Sequence, residues 1–242
     1  MTLAPPAPPP VPSDKRRYVR EMFSAIAPRY DLLNHLLSLG ADRSWRRRTV
    51  DRLGWEGRAA GAYLDACAGT LDLAMELAGR RRFAGRVVGA DFAAPMLRRG
   101  ARKAGAAPVS PAAADTLALP FPDGCFDGAM AGFGVRNLDD LDAGLRELLR
   151  VLRPGARLVI LDFTTPPWAP LRALYLFYFR RVLPLVGRAV SGHPTAYAYL
   201  PASVGTFPAP AALLARMGAA GFRDGGFELL TGGIAAIHWG TR

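Results

Sequence analysis

The chain has 242 residues, half of them apolar, enough for one α/β domain with a proper core and too few for two full ones. Two cysteines, Cys67 and Cys125, give neither a disulfide framework nor a C-x-x-C ligand pair, which points to a reducing compartment, and Cys67 reads as a small core residue rather than a nucleophile. The formal charge of +11 suits nucleic acid or an anionic membrane surface, but the arginines fall in scattered pairs and triplets without interleaved aromatic residues, so no nucleic-acid partner is expected.

Residues Met1 to Pro12 form a Pro and Ala run that cannot build helix or sheet core, so they read as a disordered tail, with a single domain over 13–242. Ser13 to Ile26 predicts one helix that Pro28 ends. Tyr30 to Gly40 predicts a second, on which Leu32/Leu36 and Leu33/Leu37 share a face and Gly40 is the stop. Residues 13–60 are thus lid helices ahead of the first strand, placed to close over a pocket. Ala62 to Cys67 is a short apolar strand, Ala68-Gly69-Thr70 a small-residue turn, and Asp72 a cap for the helix that follows. The next strand, Arg86 to Ala90, ends on Asp91, about 20 residues past the turn, where an acid accepts two hydrogen bonds from a ribose diol. A dinucleotide site wants G-x-G-x-x-G in such a turn; Cys67 to Asp72 has one glycine and an acid where phosphate charge would sit. That disfavours NAD and favours a nucleoside without phosphates, of which S-adenosylmethionine is the common case.

Further on, Ala93 to Lys103 predicts a helix with Pro95 in its first turn, and a short strand near Ala112 to Ala114 leads into Asp115-Thr116. Phe126 to Ala131 is a strand, Leu141 to Leu152 an amphipathic helix stopped by Pro154-Gly155, and Arg157 to Phe163 another strand. Such alternation implies a parallel sheet with right-handed crossovers. Gly226 to Leu230 and Ile234 to Trp239, joined by Thr231-Gly232-Gly233, break that rhythm as an antiparallel hairpin.

Seven segments carry a resemblance: YDLLNHLLSLGADRSWRR (Tyr30 to Arg47), LDACAGTLDLA (Leu64 to Ala74), VGADFAAPML (Val88 to Leu97), LPFPDGCFD (Leu119 to Asp127), GFGVRNLDD (Gly132 to Asp140), RVLRPGARLVILDF (Arg150 to Phe163) and LTGGIAAIHWG (Leu230 to Gly240). In this order the chain, from about Tyr18 to Arg242, resembles the quinone-biosynthesis C-methyltransferases. The resemblance implies a Rossmann-like class I methyltransferase with a mostly parallel seven-stranded sheet, a C-terminal antiparallel hairpin and an N-terminal helical lid. It implies S-adenosylmethionine as cofactor, contacted by Thr70 and Gly69 in the turn, Asp65 on the preceding strand, Asp91 on the ribose, Asp115 and Thr116 beside the adenine, and Gly132. One departure is Leu71, where the family usually has glycine; a side chain there is expected to narrow the cofactor pocket.

The implied reaction is methyl transfer to a ring carbon of demethylmenaquinol, or of the ubiquinone precursor, as a polyprenylated quinol. A ring carbon becomes nucleophilic when a neighbouring hydroxyl, with a pKa of about 10, loses its proton, so the site must stabilise the quinolate or supply a base. Arg136 and Asn137 follow a strand at the sheet's carboxyl edge; Arg136 remains charged and is assigned to holding the quinolate oxygen or a water, with Asn137 on the same oxygen. Tyr30 and Asp31 either line the pocket from the lid or serve as a core ring and a cap. His193 has the titration range of a base but also reads as a solvent-facing loop residue, and no histidine has metal-site spacing. No run approaches the about 20 apolar residues of a membrane span, so a cytoplasmic protein is expected. Pro170 to Val190, within a helical insertion at 166–205, is strongly apolar with interspersed arginines: a helix for the membrane interface at the inner face of the cytoplasmic membrane, or else core or homodimer surface. Two other readings stay open: a methyltransferase for a sterol, small phenol or RNA, and a catalytically degenerate fold-mate that only binds the nucleoside.

Overall fold

The computed structural model describes residues 15–38, 40–182 and 196–242. The Pro/Ala run at 1–12 and His193 lie outside them, as does part of the 166–205 insertion. Helices α1 (Lys15–Ile26), α2 (Tyr30–Leu37) and α3 (Ala41–Arg52) precede the first strand, with a single 3₁₀ turn at Ala27–Arg29 where Pro28 interrupts the run. On α1 the residues Val19, Met22 and Ile26 recur every three or four positions and are the buried ones.

Then alternate β1 (Ala62–Ala66), α4 (Asp72–Ala78), β2 (Arg86–Asp91), α5 (Ala94–Ala104), β3 (Val109–Ala113), β4 (Phe126–Gly132), α6 (Leu141–Val151) and β5 (Leu152–Phe163). Helix α7 (Ala169–Phe177) continues as π turns over Tyr178–Val182; α8 (Ala196–Thr206), α9 (Pro210–Ala220), β6 (Arg223–Leu230) and β7 (Ala235–Thr241) complete the described chain. The strands form one seven-stranded sheet in the order β3-β2-β1-β4-β5-β7-β6. All pairs are parallel except β5–β7 and β7–β6. The chain therefore winds outward from β1 in one direction and restarts at β4 in the other, and this reversal leaves a crevice at the carboxyl ends of β1 and β4.

Several boundaries differ from those the sequence predicts, each for a local reason. Strand β3 starts at Val109 rather than Ala112, because an edge strand tolerates Pro111. Strand β5 begins at Leu152, which pairs with Phe126; the register then shifts and Gly155 takes a positive φ of 78°, so Pro154-Gly155 sits within a bulge of the strand. Asp72 does not cap α4. The capping position is Leu71, in the left-handed region at φ 65°, and the orphan N–H of Ala74 is satisfied by Asp65 Oδ2 of β1 at 2.9 Å.

Leu71 also corrects the expectation of a narrowed pocket. Its side chain is fully buried and points away from the crevice into a hole left by two glycines. A Cβ on Gly89 of β2 would collide with Leu71 Cδ2, and one on Gly100 of α5 would stand 2.6 Å from Leu71 Cγ and 2.8 Å from the Thr70 carbonyl. Burying a leucine gains about 1.5–3 kcal/mol, which exceeds the roughly 1–2 kcal/mol that the left-handed backbone costs a residue with a Cβ.

Candidate active site

Two adjoining clefts open at the strand reversal. The larger, of about 640 Å³, is lined by Gly69, Asp91, Asp115, Thr116, Gly132 and Asn137, by Cys67 and Phe133, and by Arg16, Phe23 and Tyr30 of the N-terminal helices. A second, of about 330 Å³, is lined by Asp65, Gly69, Thr70, Gly132, Phe133 and Tyr30. Nine of the site residues singled out from sequence thus share one neighbourhood. Gly132 has no side chain for a reason of packing: a Cβ there would stand 2.8 Å from Leu73 Cδ1.

Asp91 terminates β2, where its Oδ2 accepts from Gly69 N at 2.8 Å and its Oδ1 from Ala93 N at 2.7 Å. Burial pushes its carboxyl above the usual range, and these backbone donors pull the other way. The carboxylate lines the cleft wall, and its acceptor-only oxygens suit a diol. Asp65 lies fully buried behind the turn, and desolvation pushes its carboxyl up to about 8. Asp115 accepts from Leu117 N at 3.0 Å and pairs with Arg16 of α1 at 2.6 Å, while Thr116 Oγ1 lies 3.3 Å from Cys67 Sγ. Burial raises the Cys67 thiol to about 12, so it is no thiolate nucleophile near neutral pH; it lines the cleft rather than the core.

The N-terminal helices are fastened to the turn after β1. Thr70 Oγ1 donates to Asp31 Oδ1 at 2.6 Å, and Lys103 Nζ of α5 bridges Asp31 (3.0 Å) and Asp72 (2.5 Å). Buried Arg46 of α3 pairs with Asp42 and, at 3.0 Å, with Asp72. His35 Nδ1 is 2.7 Å from Asp42, and His238 Nε2 meets the Pro210 carbonyl at 3.0 Å; neither reaches the clefts. Tyr30 lines both clefts and its ring packs edge-on against Phe23.

Arg136 departs from the sequence picture. It lies beside the clefts without lining either, nor is it an exposed loop arginine: its side chain is 6 % exposed, with Nη1 donating to Asp162 Oδ1 at 2.7 Å and to the Phe133 carbonyl. Its guanidinium sits 5.5 Å from the Phe163 ring centroid. Asn137 does line the large cleft, and Tyr199 of α8 donates to its Oδ1 at 3.1 Å. Lys15 of α1 ties this loop down by donating to the Leu138 carbonyl at 2.6 Å. Sequence reading missed Asp162, Tyr199, Arg16 and Lys15. Asp162 closes a strand just as Asp91 does, a signal the sequence carries; the other three lie in segments without a motif.

A seven-stranded sheet of this order, with an acid closing the second strand beside a glycine turn, defines a class I S-adenosylmethionine-dependent methyltransferase. Solved structures share the fold: a Thermotoga maritima S-adenosylmethionine-dependent methyltransferase described as a possible histamine N-methyltransferase has a TM-score of 0.64 at 18% identity, covering 91% of this chain and 98% of that one. Phosphoethanolamine N-methyltransferase 2 of Haemonchus contortus, solved with S-adenosyl-L-methionine, has 0.61 at 13%, covering 95% and 58%. Over residues 12–242 the chain matches the ubiE/COQ5 methyltransferase family, and it belongs to that family. It is 56% identical to the demethylmenaquinone methyltransferase of Thermus thermophilus over 91% of this chain and all of that protein. Identity to the demethylmenaquinone methyltransferase of Deinococcus radiodurans is 45% (95% and 94% covered), and to the ubiquinone/menaquinone biosynthesis C-methyltransferase UbiE of Geobacter sulfurreducens 43% (95% and 90%).

Proposed function

We propose that the protein transfers the methyl group of S-adenosylmethionine to a ring carbon of demethylmenaquinol, yielding menaquinol. The observation that carries this is the 56% identity to a demethylmenaquinone methyltransferase along that protein's entire length. In this reading Asp91 holds the ribose, Asp115 and Thr116 flank the adenine, and the turn at Gly69 and Thr70 passes beneath the cofactor, with Asp65 behind it. The cofactor supplies an electrophilic methyl on a sulfonium. Arg136, desolvated and oriented by Asp162, provides the positive field that favours the quinolate, and Asn137, oriented by Tyr199, hydrogen-bonds its oxygen or a water beside it. Incubation with labelled S-adenosylmethionine tests this: label enters the lipid when demethylmenaquinol is kept reduced. Equal labelling of the oxidised quinone, or labelling of a simple phenol, a sterol or RNA with none on the quinol, would overturn the assignment.

The substrate's lipid tail calls for membrane access. No helix among the described residues is long and apolar enough to cross a membrane. Helix α7 buries Tyr175 but exposes Leu174 (64 %) and Phe177 (61 %), with Trp168 (66 %) at its start and exposed Arg172 and Arg181 alongside. In this reading the face lies in the interface of an anionic bilayer on the side where the cofactor is made. Replacing Trp168, Leu174 and Phe177 together by serine is expected to abolish co-flotation with anionic vesicles, since at about 1.5–3 kcal/mol for each buried side chain the three are worth at least about 1,000-fold in partitioning. Unchanged flotation, or a dimer that the triple variant dissolves in sedimentation velocity, would assign the face to a second copy instead.

A further inference from the structure

Beside the cofactor clefts lies a second cluster in which aromatic rings surround two buried polar atoms that have no partner among the described residues: Oη of Tyr175 and Nε of Arg136. Tyr175 is 5 % exposed. The two groups are joined by rings. The Arg136 guanidinium lies over Phe163, Phe163 meets Phe179 at 6.2 Å, and Phe179 packs against Tyr175 at 4.2 Å between centroids. The charges of Arg136 and Asp162 both act on the Tyr175 hydroxyl.

A hydroxyl buried without a partner destabilises the fold, and phenylalanine would fill the same volume without that cost. We propose that Tyr175 is a substrate-binding residue: its hydroxyl and the Arg136 Nε–H are the polar ends of an aromatic slot that receives a dihydroxy-aromatic ring and holds its oxygens. This rests on the quinol reading above and names the residue that recognises the acceptor. Burial raises the Tyr175 phenol above its ordinary value, so it stays protonated near neutral pH and can donate to an oxyanion. The slot adjoins the cofactor site, because Phe133 packs on Phe163 at 4.7 Å and itself lines both clefts, and Tyr30 lines both clefts while packing against the Tyr175 cluster. Helix α7 turns Tyr175 inward onto the cluster and leaves Leu174 and Phe177 exposed on its other face, so a ring enters the slot by an outward shift of that helix.

The test is Tyr175→Phe in the full-length protein. We expect kcat/KM for demethylmenaquinol to fall about tenfold or more, with S-adenosylmethionine affinity unchanged and the melting temperature unchanged or raised. A merely structural hydroxyl would leave kcat/KM within twofold, and that result overturns the proposal. Calorimetry with dihydroxynaphthalene and with naphthalene, which has no oxygen to accept from Tyr175, in the presence of S-adenosylhomocysteine, decides the point independently of turnover. Wild type should bind the diol about tenfold more tightly than Tyr175→Phe, and the two should bind naphthalene alike; equal affinity for the diol overturns the assignment of Tyr175. Absence of turnover by wild type on the quinol counts against the proposed function, while the diol titration still judges the slot.

Discussion

Replacing Asp91 by alanine is expected to weaken S-adenosylmethionine binding at least about 100-fold, because two hydrogen bonds from hydroxyls to a charged acceptor are worth about 1.5–3 kcal/mol each. The loss is compounded locally. The same carboxylate receives the N–H groups of Gly69 and Ala93, so it pins the turn after β1 to the start of α5, and alanine leaves both donors unmet beside the cleft. Asp91→Asn separates the two contributions, since it retains the shape and one acceptor but turns an N–H₂ toward one of those backbone donors. Titration calorimetry is the measurement, and an affinity within threefold of wild type for the alanine variant would refute the assignment. Binding should also weaken on acidification at a pH above the ordinary carboxylate value of 3.8, because burial raises this group and the protonated form accepts fewer hydrogen bonds.

The second large effect concerns Arg136 and Asp162. Both side chains are almost wholly buried and meet at 2.7 Å. Asp162→Ala strands a cation in the interior, which costs about 3–5 kcal/mol, or roughly 10 °C in a chain of this size. Activity is expected to fall with it, as the guanidinium loses the carboxylate that aims it. The double variant Arg136→Met/Asp162→Leu removes both charges and should recover most of the lost stability, since an apolar pair often substitutes for a buried ion pair. Its kcat/KM is nevertheless expected to stay at least 100-fold below wild type. Thermal melts beside turnover assays give the answer: a stable double variant with near-normal turnover would remove Arg136 from the chemistry.

The gathering of Gly69, Thr70 and Asp91 at one crevice was legible from sequence because it is local. A strand, a small-residue turn and an acid after the next strand lie within 30 residues, and their spacing alone sets them at one crevice. The surroundings of Arg136 and Asn137 are not local. In sequence Arg136 is a candidate for the quinolate without a visible partner, and only the β4–β5 pairing brings Asp162 alongside it; Asn137 acquires its Tyr199 partner only through an insertion whose helices carry no motif. Boundaries failed where a residue's usual meaning was overridden. Pro111 marks an edge strand rather than its end, Pro154-Gly155 a bulge rather than a stop, and Asp72 joins Lys103 and Arg46 while a strand acid performs the capping. Helix α9 was not read at all, because its apolar residues are too evenly spread to show a face.

The hole that receives Leu71 makes the turn after β1 untransferable by itself. Positions 71, 89 and 100 lie on three different elements and fit only as a set: a side chain on the first demands its absence from the other two. A chimera that took this turn into a scaffold with alanine at either glycine would force the turn off its backbone path, and the reverse graft, glycine at 71 alone, would leave a void between α4, β2 and α5. The unit of exchange among such proteins is therefore a spatial triad rather than a stretch of sequence, and recombination within this half of the chain succeeds or fails on whether its crossover points keep the three together.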